Sequence, residues 1–141
     1  MKKNLFCIVL AICFSSCQKS EQYFALFKDY PNLHGKIPVY FGKQQIGFSK
    51  GPVKQENEGM YILSIQIDVQ YCSLIQSNTH VIAENGVLEV RLCPEEDRYP
   101  LNPGSSVKGF GSEWGYQAHL LSLKGSNFIQ KVQLLFHRHP R

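Results

Sequence analysis

From Met60 to Val69 apolar and polar residues alternate: Tyr61, Leu63, Ile65, Ile67 and Val69 share one face, and Ser64, Gln66 and Asp68 the other. Strict period-two patterning over this length predicts a half-buried strand. Shorter segments carry the same signal. Tyr23 to Lys28 is aromatic-rich and runs into a turn at Asp29-Tyr30-Pro31-Asn32; Ile37, Val39 and Phe41 alternate with Pro38 and Tyr40, and Gly42 opens a turn into Gln45 to Phe48. Tyr71 to Ile75 reads as one helical turn. Thr79 to Ala83 and Leu88 to Cys93 read as strands joined across Glu84-Asn85-Gly86, and a Pro-rich loop, Pro94 to Pro103, leads to a short strand at Ser106 to Lys108. After Gly111 the period changes. Ser112 can cap a helix carrying Tyr116, Leu120 and Leu123, Gly125 suits its end, and Asn127 can cap a second helix carrying Phe128, Val132, Leu135 and Phe136. The expected fold is mainly β, a small barrel followed by a C-terminal helical segment.

The N-terminus has a separate logic. Met1-Lys2-Lys3 is basic, and Leu5 to Phe14 is an apolar run well short of the roughly 20 residues that span a bilayer as a helix, which fits a secretory signal. Phe14-Ser15-Ser16-Cys17 follows and looks like a bacterial lipobox, in which the cysteine is acylated and becomes the first mature residue; Leu is usual where Phe14 stands. The expected organisation is a signal peptide over 1–16, a lipidated linker over 17–22, a β domain over 23–112 and a helical tail over 113–141. Two or more acyl chains hold a protein stably on a membrane where one does not. The expected location is the bacterial cell envelope, as an anchored lipoprotein facing the periplasm, with the choice of membrane left open.

Composition narrows the classes. The chain is 43% hydrophobic and 18% charged, with a formal charge of +4 of which Lys2 and Lys3 leave with the signal. No Lys/Arg run interleaved with aromatics supports nucleic-acid binding. Of five cysteines, Cys7 and Cys13 lie in the expected signal and Cys17 is the expected lipid attachment site, leaving Cys72 and Cys93. An oxidising compartment permits these two to form a disulfide, and two separately buried thiols is the competing reading.

Candidate chemistry is sparse. No H-E-x-x-H or P-loop occurs. His137 and His139 belong to a basic terminus, and His34, His80 and His119 stand singly, so no metal site is expected. Glu95-Glu96-Asp97 reads as a solvated loop, and Gly109 to Gly115, with Trp114 inside it, as a flexible exit from the barrel. Neither a cofactor nor an enzymatic activity is expected; an enzymatic alternative would use Cys72 with one of the histidines.

Taken in order, the segments resemble the mammalian cell entry (MCE) domain, the substrate-binding component of bacterial lipid-transport systems of the Mla type. The residues that carry the likeness are Leu33-His34-Gly35-Lys36-Ile37-Pro38-Val39 with the hairpin ending Ile46-Gly47, then Ile65-Gln66-Ile67-Asp68, Glu84-Asn85-Gly86-Val87-Leu88-Glu89, Pro100-Leu101-Asn102-Pro103-Gly104 and Gly109-Phe110-Gly111-Ser112. The likeness covers about residues 23 to 112. One residue is inserted before Pro38, and Glu89 stands where the family's G-L-L-G has its second glycine.

The resemblance implies a six- or seven-stranded barrel that assembles, usually as a hexamer, around an apolar channel lined by the loop matching Gly86, Val87 and Leu88. It further implies a non-enzymatic subunit that binds phospholipid or a similar amphiphile and works with an ABC permease and its ATPase. The alternative from another class is a structural or adhesive envelope lipoprotein that binds protein partners.

Overall fold

The computed structural model describes residues 19–50, 53–55 and 59–136. Eight strands form one sheet: β1 (Ser20–Phe27), β2 (Lys36–Phe41), β3 (Gln44–Lys50), β4 (Lys54–Gln55), β5 (Tyr61–Asp68), β6 (Thr79–Glu84), β7 (Val87–Leu92) and β8 (Ser106–Phe110). The order is β1-β8-β6-β7-β2-β3-β5, and β1 pairs with β5 to close a seven-stranded barrel, β4 adding a short ladder on β5 beside β3. A 3₁₀ helix, Val69–Leu74, leaves β5, and one helix, α1 (Glu113–Phe136), follows β8. The fold is therefore mainly β, a small barrel with a C-terminal helix, as the alternation predicts.

Alternation decides what faces inward. On β5 the side chains of Leu63, Ile65 and Ile67 are fully buried, and on β1 those of Tyr23, Ala25 and Phe27. Val39, Ile46, Val81, Leu88, Val90 and Val107 complete the same cluster from the other strands. The barrel is filled by its own side chains, as small barrels are. Gly47 has a local reason: it lies opposite Ile67, and a Cβ there would run into the Gln66 backbone carbonyl.

β6 departs from alternation, since all of Thr79, His80, Val81, Ile82 and Ala83 are buried. Val81 and Ala83 belong to the core cluster, whereas His80 points outward beneath α1, which packs on β6 and β8. A strand covered on both faces loses its polar phase. The helix is held there by the buried Tyr116, whose ring meets Phe110 (5.6 Å between centroids), and by Arg91. The Arg91 guanidinium donates to Glu89 Oε1 and Oε2, each at 2.9 Å, and to Glu113 Oε1 at 2.8 Å, and lies 5.5 Å from the Tyr116 ring centroid.

The expected break at Gly125 does not occur. α1 runs 24 residues through Gly125 and Asn127. An exposed glycine costs a helix about 1 kcal/mol relative to alanine, too little to end it without a proline nearby. Asn127, expected as a cap, instead donates from Nδ2 to Glu95 Oε2 at 3.4 Å.

Two outcomes test this packing. Leu88→Ala removes a fully buried side chain and lowers stability by about 2–5 kcal/mol in a denaturant melt; an unchanged midpoint would contradict its place in the core. Arg91→Ala loses partly exposed charged contacts and speeds amide exchange over Tyr116 to Leu120 about fivefold, a cost of about 1 kcal/mol, with the barrel amides unaffected.

Candidate functional site

The loop expected to meet hydrocarbon is a tight turn. β6 and β7 pair from Thr79↔Leu92 to Glu84↔Val87, leaving only Asn85 and Gly86 between them. Both have positive φ, 53° and 76°, as a type I′ hairpin turn requires, which is why Asn-Gly stands there. Gly86 is exposed and Val87 half-buried. Leu88 corrects the expectation: it is fully buried and paired with Val39, within the barrel's own core. The phase of β7 explains this, since Leu88 and Val90 point in while Glu89 and Arg91 point out.

Cys72 and Cys93 are both free thiols, so the possible disulfide is not formed and the reading of two separate thiols holds. They sit in separate environments. Cys72, on the 3₁₀ helix, directs its Sγ at the Ile67 and Asp68 carbonyls, each at 3.7 Å. Burial raises its pKa, and the neighbouring Tyr23 hydroxyl is pushed up to about 12, chiefly by burial. A protonated thiol of this kind is a poor nucleophile. Cys93 directly follows β7, fully buried, its N–H donating to the Asn78 carbonyl at 2.8 Å. Cys17, His137 and His139 lie outside the described residues.

Two of the three histidines expected to stand singly, His80 and His119, come together, while His34 meets only its neighbour Asn32. His80 on β6 and His119 on α1 have ring centroids 5.2 Å apart. Both meet Glu96, which is only 17% exposed and so is not the solvated loop residue expected from the sequence. His80 Nε2 lies 3.0 Å from Glu96 Oε2 and His119 Nε2 3.3 Å from Oε1, with Lys108 Nζ 2.5 Å from Oε1. A carboxylate only accepts, so both imidazoles donate. Burial lowers the His80 pKa, outweighing the pull of Glu96, so the ring is neutral near pH 7 and the contact is a hydrogen bond. Burial also pushes the Glu96 carboxyl up, but Lys108 and His80 outweigh it and hold it below the usual range. No spacing motif announces this cluster; its parts come from β6, the loop after β7, β8 and α1.

Two apolar features flank it. A groove of about 700 Å³ runs between the barrel end and α1, with Leu26, Tyr30, Met60 and Phe110 in its wall. On the face of α1 turned away from the barrel, Trp114, Leu121 and Phe128 are 84%, 70% and 69% exposed. Their seven-residue spacing keeps them on one stripe, with Ala118 and Gly125 between. That spacing was present in the sequence and could have been read. Among the described residues no helix is long and apolar enough to cross a membrane.

Comparisons with known proteins add nothing to this geometry: no protein-family model matches the chain, and no curated protein matches it.

Proposed function

We propose that the chain is a non-enzymatic lipid-binding subunit of an ABC-type envelope transport system, tethered through an acylated Cys17 and assembled from several copies. Its permease and ATPase partners supply the energy. The observation that carries the reading is the exposed stripe of Trp114, Leu121 and Phe128 on α1. Monomeric proteins seldom leave large apolar side chains in a continuous row in water. Copies set around a common axis with these faces inward give hydrocarbon a path free of water, and burial at about 25 cal/mol per Å² holds an acyl chain without fixing its pose.

The resemblance to MCE domains supports the same reading. Its segments fall on a closed barrel in order: the β2–β3 hairpin, the end of β5, the β6–β7 turn and the two flanks of β8. The contact with lipid differs from the first expectation in one respect. Leu88 takes no part, and the contribution of the β6–β7 turn reduces to Gly86 and the half-buried Val87.

The heptad spacing of the stripe also favours a second reading, an envelope lipoprotein whose helix pairs with a protein partner. One experiment separates the two. Leu121→Gln with Phe128→Gln in the full-length protein, extracted from membranes, is expected to reduce copurifying phospholipid several-fold by mass spectrometry, with the barrel's melting temperature unchanged. A lipid-free monomer in the unsubstituted protein, or lipid content indifferent to the substitutions, rejects the lipid-binding reading.

A further inference from the structure

We propose that His80, Cys93, Glu96 and His119 form a binding site for a divalent transition-metal ion of the zinc class, which fastens α1 to the barrel. Three of these residues already converge: one ring nitrogen of His80, the Cys93 Sγ and a carboxylate oxygen of Glu96 all lie within 4.8 Å of one another. His119 Nε2 lies outside that group but 3.3 Å from Glu96 Oε1, and would turn in from the helix as the fourth donor. Imidazole, thiolate and carboxylate are the ligands that zinc takes, usually four in a tetrahedron, whereas calcium and magnesium prefer oxygen alone.

Burial separates this cluster from a surface ion pair. His80 and Cys93 are each 0% exposed. His80 Nε2 is engaged by Glu96, and its Nδ1 has no hydrogen-bond partner although it is fully buried. An unpartnered buried nitrogen costs free energy. With Glu96 as a ligand, the ion would sit between its carboxylate and His80 Nε2, in place of the hydrogen bond that now joins them.

Charge agrees with a divalent ion. Binding converts the Cys93 thiol to a thiolate and releases its proton to solvent. Thiolate and carboxylate then carry two negative charges, which a divalent cation neutralises. Lys108, which now compensates Glu96, is 56% exposed and can swing into water when the ion takes its place. The ion would join β6, the loop after β7 and the second turn of α1. This inference does not depend on the lipid-binding reading, and either can fail alone.

The test uses the full-length chain in a His137→Gln, His139→Gln background, which removes the terminal histidines as competing ligands. After chelator treatment it is titrated with Co²⁺, and then Zn²⁺ is added. The expected result is one Co²⁺ per chain, a thiolate-to-cobalt charge-transfer band in the near ultraviolet, displacement by Zn²⁺ and a raised melting temperature. Cys93→Ser is expected to abolish the band and Cys72→Ser to leave it intact. His119→Gln, a change at a partly exposed helical position that leaves the barrel core untouched, is expected to weaken binding at least about tenfold. Absence of the band, its persistence in Cys93→Ser, or unchanged affinity in His119→Gln would each overturn the site; should Cys93→Ser not fold, the His119→Gln affinity decides.

Discussion

The pairing of the first strand with the fifth governs everything else. Eight residues of β1, Ser20 to Phe27, run antiparallel along Asp68 to Tyr61 of β5 and close the sheet. Closure removes both sheet edges and divides every strand into an inward and an outward phase. With seven strands the interior is narrow, and Tyr23, Phe27, Leu63, Ile65, Ile67 and Leu88 fill it. Among the described residues the inward phase is thus occupied by the protein's own side chains, and the outward phase is left to solvent or to the helix.

That division explains which parts of the structure were legible in the sequence. Where one phase is buried and the other wet, as on β5, alternation identifies strand and face together. Where both phases are covered it fails: the outward side chain of His80 is shielded by α1, and nothing within Thr79 to Ala83 says so. Leu88 was misread for a different reason. The Gly86-Val87-Leu88 run looked like an exposed tip, yet the Asn85-Gly86 turn fixes the register and sends Leu88 inward. A two-residue turn allows no slack, because a shift of one residue would exchange the two faces of β7. The phase of Leu88, Glu89, Val90 and Arg91 held that answer.

Long-range assembly was not legible. Glu96 meets His80 across 16 residues of sequence and His119 across 23. Neither separation follows a local period, so no window of sequence contains the cluster. Helix continuity failed as a prediction because Gly125 was given the weight of a terminator. Glycine only weakens a helix, and a weak site in a long helix is tolerated when the turns before it are docked, as Tyr116 and Arg91 dock them.

The docking matters more than its energy suggests. Past its first turns α1 is supported by few contacts, and its outward stripe faces water. A stripe of Trp114, Leu121 and Phe128 is useful to a ring or to lipid only if every copy presents it at the same angle to its barrel. Hydrophobic burial cannot set that angle, being non-directional. Directional contacts must, and they gather at the helix start: Arg91 to Glu113, His119 to Glu96, and the edge-on ring of Tyr116 against His80. On the reading proposed above, the polar cluster and the apolar stripe act together: the first sets the direction of the helix, and that direction decides where the second would meet lipid.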